Sequence, residues 1–203
     1  EGEMLPGGSG IEWCDVEVLR ILKRKSLAKW FAEVEPVQPE TYTRFLLQWH
    51  GINHPRRGIP ALISVVEQLQ GMPLGVNVLE SEILPARIDG YRIGDLDALC
   101  AAGEIVWRGV ERSADAVGKI ALYVSAAYPY LAPVPGLAEG PVAAKIRNVL
   151  ERRGAVFFHD LLRETGGFAP EVATALWDMV WAGEVTNDTL APLRSLGGEM
   201  RQD

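Results

Sequence analysis

The segment AAGEIVWRG at residues 101–109 joins the end of a predicted helix to a short β-prone run. Eighty residues further along the chain, residues 181–194 (WAGEVTNDTLAPLR) begin in nearly the same way. In each segment a glycine, Gly103 or Gly183, offers the left-handed residue that ends a helix. The repetition predicts two copies of one helix-to-strand junction.

The residues before the first junction predict a series of helices, because apolar side chains recur there at helical spacing. Predicted helices cover residues 15–34, with Asp15 as the N-cap, then 39–51, 61–71, 77–88 with a break near Pro85, and 92–103. The runs EIVWRG and KIALYV then predict a β-hairpin. Three helices followed by a hairpin is the order of a winged helix-turn-helix domain.

The same order begins again after residues 129–140, whose clustered prolines predict a rigid connector. Helices are predicted at 141–154, within 155–167 and at 169–183, and EVTND starts a second wing. At an offset of 80 positions, Leu96, Leu99, Gly103, Glu104 and Ile105 fall on Leu176, Met179, Gly183, Glu184 and Val185.

The sequence therefore predicts a mainly α fold with short β-hairpins (α+β), organised as tandem winged helix-turn-helix domains after a helical lead-in. The predicted divisions are a flexible linker (1–10), the helical lead-in (11–60), a first winged helix (61–128), the connector (129–140), a second winged helix (141–196) and a tail (197–203).

Composition limits the classes of function. The chain has 203 residues, 48% of them hydrophobic, and a formal net charge of −7, which argues against a surface that is cationic all over. Two cysteines, Cys14 and Cys100, are too few for a disulfide scaffold and favour a reducing, cytoplasmic location. No apolar run is long enough to span a membrane, and no secretory signal is evident.

The sequence lacks the motifs of an ATPase, a metalloenzyme or a catalytic triad. Gly118-Lys119 lacks the preceding glycine and the following Ser or Thr of a phosphate-binding loop, so we expect no ATP hydrolysis by this chain. His50 and His54 lack a third metal ligand, and His159 starts a helix rather than forming part of a catalytic triad. We therefore expect no enzyme, metal or cofactor in this fragment.

Contact with a polyanion would have to be local. Residues 20–30 (RILKRKSLAKW) hold five cations and no acid, although a solvated helix face would have the same pattern. Trp30 and Trp107 are candidates for stacking on unpaired bases, against the alternative of core packing.

Several stretches, taken in order, resemble the large helicase-related (Lhr) family of superfamily 2 DNA helicases, in the DEAD/H-associated region that follows the motor domains. They are EWCDVEVLRILKRKSLA, RFLLQWHG, VVEQLQG, ILPARIDGY, LDALCAAGEIVW and LWDMVWAGEVTNDTLAPLR. The resemblance implies a part of an ATP-dependent helicase that moves 3′-to-5′ on single-stranded DNA and is linked to DNA repair. It also implies that ATP and Mg²⁺ belong to motor domains elsewhere in the parent chain.

The resemblance further implies that this region helps to grip or guide single-stranded DNA. The candidate DNA contacts are Arg20, Lys23, Arg24, Lys25, Trp30, Arg56, Arg57, Arg87, Trp107 and Arg108. Thr186, Asn187, Asp188 and Arg194 match the family signature, and docking of the second winged helix is one interpretation of them.

Two other functions stay open from the sequence. A protein-interaction or scaffold module, docked on the motor or self-associated, would suit the acidic charge and the apolar helix faces. A DNA glycosylase-like module is the third reading, because some glycosylases are built from tandem winged helices, and Gln68 and Gln70 resemble the paired glutamines with which they position water.

Overall fold

The structure, a computed structural model, describes residues 15–33, 36–112 and 118–199. The helices are α1 (Val16–Glu33), α2 (Pro39–Trp49), α3 (Ile59–Leu69), α4 (Val76–Val78), α5 (Leu84–Arg87), α6 (Ile93–Ala101), α7 (Tyr128–Leu131), α8 (Pro141–Arg153), α9 (Phe158–Thr165), α10 (Ala169–Trp181) and α11 (Ala191–Glu199). The strands are β1 (Leu74–Gly75), β2 (Ile105–Glu111) and β3 (Lys119–Val124), and a π-helical turn (Leu79–Ile83) joins α4 to α5. The predicted linker at 1–10 and Cys14 lie outside the described residues.

The chain divides between Leu46 and Leu47 into two compact units. The helix α1 belongs to the first unit, and its start agrees with the predicted cap, because Asp15 Oδ1 accepts hydrogen bonds from the backbone amides of Glu17 (2.8 Å) and Val18 (3.4 Å). Everything described below from α3 onwards lies in the second unit.

The second unit contains the predicted winged helix. Strands β2 and β3 form an antiparallel hairpin, with Trp107 opposite Leu122, and the sheet order is β1-β3-β2. The prediction of a hairpin is confirmed. The third strand, β1, was not predicted. Its two residues follow Pro73 and are too few to show a strand pattern, and they form a strand because they pair with Ile120 and Lys119 of β3.

The predicted break near Pro85 is wrong. The chain stays helical from Val76 to Arg87, and a π-helical turn carries it past the proline. In that turn the amide of Leu84 donates to the carbonyl of Leu79, five residues back. Proline has no amide hydrogen and its ring clashes with the carbonyl four residues earlier, and the wider turn accommodates both features.

A continuous apolar core fills the winged helix. Val66, Leu79, Leu84, Leu96 and Trp107 are almost completely buried in it. The same core includes side chains from the far end of the chain, Val180, Leu190 and Leu193. The winged helix is therefore completed by residues more than 50 positions away from its hairpin.

The repeated helix end is confirmed. Gly103 and Gly183 have φ of 74° and 73°, and in both places the following glutamate amide donates to a carbonyl five residues back, Glu104 to Leu99 and Glu184 to Met179. This is the Schellman arrangement, which glycine favours because it lacks a Cβ. After Gly103 the chain enters β2.

The second wing is absent from the described residues. After Gly183 the chain continues without a strand and enters α11, so EVTND does not start a hairpin. The helices α8, α9 and α10 form a three-helix segment around Ala143, Ile146, Leu161, Val172 and Met179. The fold is thus mainly helical with a short antiparallel sheet, and within the described ranges only its first copy has a wing.

No helix in the described ranges is long and apolar enough to cross a membrane.

Candidate nucleic-acid interface

The basic residues predicted on the first helix are exposed. Arg20, Lys23, Arg24 and Lys25 all lie on the exposed surface of α1, and Trp30 near its end is also exposed. Arg20 forms an ion pair with Glu17 at 2.7 Å, one turn away. An exposed ion pair of this kind contributes little free energy, so Arg20 can leave Glu17 and bind another anion at small cost.

Three further candidates, Arg56, Arg57 and Arg87, are brought together by a contact between distant segments. Arg56 forms an isolated parallel bridge with Ile88, next to Arg87, and its carbonyl accepts a hydrogen bond from the Asp89 amide at 2.9 Å. The Arg57 guanidinium donates to Asp89 Oδ2 at 2.6 Å. We call Arg56, Arg57 and Arg87 the arginine cluster.

The arginine cluster contains an unsatisfied donor. Arg87 Nη1 is buried without a hydrogen-bond partner among the described residues, and so is Nδ1 of His50. Burial lowers the pKa of Arg87, and burial together with the charge of Arg87 lowers the pKa of His50. A buried donor without an acceptor costs free energy, so an anion that reached Arg87 would relieve that cost.

The prediction that Trp107 stacks on a base is wrong. Its side chain is 1% exposed, and its indole Nε1 donates to the carbonyl of Thr189 at 3.2 Å. Both faces of β2 are covered from Ile105 to Gly109, one by the winged-helix core and the other by chain from the second half of the protein, whereas Val110 and Glu111 are exposed. A strand with one solvated face leaves alternate side chains exposed, and the first five residues of β2 do not follow that pattern.

Arg108 is also wrongly placed among the DNA contacts. It is buried, and its guanidinium donates to the carbonyls of Pro133 and Val134, the latter at 3.3 Å. It also lies against Gly183, where a Cβ would overlap the guanidinium. Arg108 therefore holds the proline-rich connector and the end of α10 against the sheet.

The hairpin of the winged helix serves as a packing surface. A Cβ on Gly109 would overlap the carbonyl of Val180, and one on Gly118 would overlap the ring of Trp181. Trp181 in turn stacks on Trp177, with ring centroids 5.8 Å apart. The two glycines let α10 approach the hairpin closely, which leaves this part of the hairpin unavailable to DNA.

The family-signature segment TNDTLAPLR, residues 186–194, docks on the winged helix, and we call it the docking tail. Thr186 Oγ1 donates to the carbonyl of Trp107 at 2.5 Å, and Asn187 Oδ1 accepts from the Thr189 amide at 3.0 Å. The Leu190 amide donates to Asp97 Oδ1 at 3.0 Å. These contacts support the docking interpretation of the segment; Asp188 is exposed.

Arg194, the last residue of the docking tail, forms ion pairs with two carboxylates of the winged helix. Its guanidinium donates twice to Glu80 on the π-helical turn, at 2.9 and 2.8 Å, and twice to Asp97 on α6, at 2.8 and 2.9 Å. The Glu80 side chain is only 7% exposed. Hydrogen bonds from Arg194 are the main cause that lowers the pKa of Asp97.

The docking tail binds to α6, the helix that precedes the hairpin. In winged helix-turn-helix proteins this helix, α6 here, is the one that enters the major groove. Asp97 of α6 is bound by Arg194 and Leu190, and Asp95 is paired with Arg92 at 3.0 Å. An acidic helix that is also engaged by its own chain is poorly suited to a DNA duplex.

The paired glutamines have structural contacts. Gln70 Oε1 accepts a hydrogen bond from the Val124 amide at the end of β3, at 3.0 Å, and Gln68 Nε2 donates to the carbonyl of Trp49 at 3.4 Å. The two side chains thus hold different neighbours, and the structure does not place them together around a water.

Sequence reasoning missed the electrostatic effect of Arg87 on His50, and it missed Glu80 and Asp97 as partners of Arg194. Glu80 and Asp97 are 114 and 97 positions from Arg194, so no local pattern links them. It also missed Phe157, whose exposed ring stacks on His159 with centroids 5.8 Å apart. A phenylalanine at a helix N-cap, where Ser, Thr, Asp or Asn is preferred, was a signal in the sequence.

Comparison with known proteins identifies the family of the winged helix. Residues 37–125 match the family described as large helicase-related protein, winged-helix domain. The chain is 39% identical over 201 residues to a protein of Mycolicibacterium smegmatis named Lhr helicase/probable uracil glycosylase, covering 96% of this chain and 13% of that protein. It is 32% identical over 209 residues to the Escherichia coli protein named Lhr helicase/uracil glycosylase, covering 91% of this chain and 14% of that protein. The chain therefore spans about one seventh of the length of these relatives.

Proposed function

Because this chain belongs to the large helicase-related (Lhr) family, we propose that it is a DNA-binding accessory region of an ATP-dependent 3′-to-5′ DNA helicase that acts in DNA repair. In this proposal it grips or guides single-stranded DNA and performs no chemistry itself. ATP, Mg²⁺ and the motor domains belong to other parts of the parent protein, and the motor is a partner within the same chain.

The arginine cluster is the observation that carries the proposal. Arg56 and Arg57 are exposed beside Arg87, whose buried Nη1 is without an acceptor in the described part of the chain. Guanidinium groups bind phosphate strongly because they present several donors in one plane. Three of them on two adjoining segments form a local cationic site on a chain of net charge −7.

Single strands suit this region better than a duplex. The helix that would enter the major groove is acidic and bound by Arg194, and the hairpin is packed on α10. A single strand needs only a few phosphate contacts and exposed rings on which to stack. The exposed cations and Trp30 of α1 supply a second set of such groups, within the other compact unit.

The test replaces Arg56 and Arg57 together by Glu and measures the affinity for a fluorescent single-stranded oligonucleotide by anisotropy. The double variant Arg92→Glu with Arg112→Glu is the matched control, because it changes the net charge equally and both arginines are exposed and, like Arg57, paired with an aspartate. We expect the variant at Arg56 and Arg57 to bind at least about tenfold more weakly, through lost phosphate contacts. Equal affinity of both variants and the unchanged chain would remove the arginine cluster from the interface.

A second candidate function comes from the names of the two relatives, both of which include uracil glycosylase. In that case this region would present uracil-containing DNA to a base-excising site or contribute to one. An assay for abasic sites on uracil-containing single strands tests it. The accessory role predicts no abasic product from this chain alone, and product formation would assign it the excision.

The third candidate is a scaffold that binds the motor or itself, and it predicts no binding of DNA by this chain. Tight self-association measured by light scattering, without affinity for an oligonucleotide at low salt, would favour it over the accessory role.

A further inference from the structure

The three-helix segment presents aromatic rings to solvent at the start of α9. Phe157 is 76% exposed and stacks on the ring of His159, with an interplanar angle of 14°. We call this pair the aromatic platform. Its outer face has no covering side chain, because both residues lie among the exposed residues of the chain.

The position of Phe157 makes its exposure costly. Phe157 is the N-cap residue of α9 and makes no side-chain capping hydrogen bond. A Ser, Thr, Asp or Asn at such a site stabilises a protein relative to a residue without a capping group. An exposed phenylalanine also gains no burial. Phe157 therefore gains neither a capping hydrogen bond nor burial, and its ring is open to a ligand. Phe168, the equally exposed N-cap residue of α10, has no ring partner among the described residues.

A cation-lined groove runs along the same pair of helices. Lys145, Asn148 and Arg152 recur on one face of α8, opposite Thr165 at the end of α9, and they line an open groove of about 500 Å³. Lys145 and Arg152 lie about 10 Å apart along the helix axis, at 1.5 Å per residue. With this separation, each of the two cations can contact a different phosphate of the same strand.

The charge of this groove suits a polyanion. Its carboxylate, Glu164, is bound by both Arg152 and Arg153, the former at 3.4 Å. Lys145 donates to the neutral carbonyl of Thr165 at 3.3 Å. Within the groove, Lys145 and Arg152 therefore face one carboxylate, and Arg153 binds the same carboxylate from outside the lining, on a chain whose overall charge is negative.

We propose that the aromatic platform and the α8 groove form a second site for single-stranded DNA, in which an unpaired base stacks on Phe157 and His159 while neighbouring phosphates lie along Lys145 and Arg152. The inference rests on the proposed function and deepens it, because it assigns a strand contact to a surface separate from the arginine cluster. Stacking on rings beside cations is a general mode of holding single strands without reading their sequence.

The first experiment compares Phe157→Ala with Phe168→Ala in the complete chain. Phe168 is the N-cap residue of α10 and is 78% exposed, so it matches Phe157 in both respects. We expect Phe157→Ala to weaken binding of a fluorescent oligo-dT strand between roughly 5-fold and 140-fold, the range for one lost base stack. We expect Phe168→Ala to bind within twofold of the unchanged chain.

The second experiment tests the groove through salt. Replacing Lys145 by Glu should reduce the slope of log K against log salt by about 0.7, the value for one phosphate contact on a single strand. A strand that carries 5-iododeoxyuridine should also form a photo-crosslink to the peptide that contains Phe157 and His159. Circular dichroism spectra of all variants check that they remain folded.

The outcomes separate the two proposals. If the unchanged chain does not bind single-stranded DNA at low salt, the accessory function and the second site both fail. If it binds, but Phe157→Ala and Phe168→Ala have the same affinity and no crosslink forms at the platform, the second site is overturned while the accessory function stands. The exposed rings would then belong to a contact with another protein surface.

Discussion

Arg194 and Asp97 form a two-point ion pair, with Nη1 2.8 Å from Oδ2 and Nη2 2.9 Å from Oδ1. The same guanidinium binds Glu80, so one side chain of the docking tail joins α6 to the π-helical turn. This arrangement fixes the second half of the chain to the winged helix, and it also occupies the helix that would otherwise face a DNA duplex.

Replacing Arg194 by Met should destabilise the chain by about 3 kcal/mol, because it leaves the carboxylates of Glu80 and Asp97 without their partner. Urea unfolding followed by circular dichroism measures the loss. Arg92→Met is the control: Arg92 pairs with Asp95 on the surface and should change stability by less than about 1 kcal/mol. Equal effects of the two substitutions would show that the docking tail is not held by Arg194.

The same network predicts a dependence of stability on acid. Arg194 lowers the pKa of Asp97 in the folded chain below its ordinary value of 3.8. The resulting stability is fully present above the unfolded pKa and is lost as the pH falls through the folded pKa. The urea midpoint should therefore fall between pH 5 and pH 3, and less steeply in Arg194→Met. Parallel pH profiles for the two proteins would contradict the assignment to Asp97.

Gly109→Ala should destabilise the chain strongly, by about 3 kcal/mol or more, because the new Cβ would overlap the Val180 carbonyl and force the hairpin away from α10. Gly94, inside α6, is a matched control, because a Cβ added there would have no described atom of another residue within 4 Å. Gly94→Ala should be neutral or stabilising by up to about 1 kcal/mol. Thermal unfolding of both variants compares them, and a stable Gly109→Ala protein would show that the hairpin and α10 need no close approach.

Local patterns were sufficient to predict the parts of the fold that depend on neighbouring residues. The helix ends at Gly103 and Gly183 and the β2–β3 hairpin follow from glycine conformation and from short apolar runs. The strand β1 and the helix α11 were missed, because their stability comes from pairing and packing with distant segments. Trp107 was misassigned for the same reason, since chain that covers its strand comes from more than 70 residues later.

The candidate site was predictable in its composition and not in its assembly. The residues Arg56, Arg57 and Arg87 stood out as cations in the sequence, but the bridge between Arg56 and Ile88 that joins them is a tertiary contact. Arg108 shows the opposite case, because a positive charge that resembled a phosphate contact binds backbone carbonyls of the connector instead.

On α1, changing Arg24 and Lys25 to Glu should weaken binding of single-stranded DNA and reduce its salt dependence by about 1.4 in the slope of log K against log salt, the value for two phosphate contacts. Both side chains are exposed, so folding should be unaffected. Anisotropy titrations at several salt concentrations measure the slope. An unchanged slope would remove α1 from the set of strand contacts.

The most direct measurement compares the affinity of the unchanged chain for a single-stranded oligonucleotide and for the duplex of the same sequence, each as a function of salt. The accessory role predicts measurable binding of the single strand at low salt, weaker binding of the duplex, and a loss of affinity as salt rises. No binding of the single strand at low salt, or tighter binding of the duplex, would contradict it.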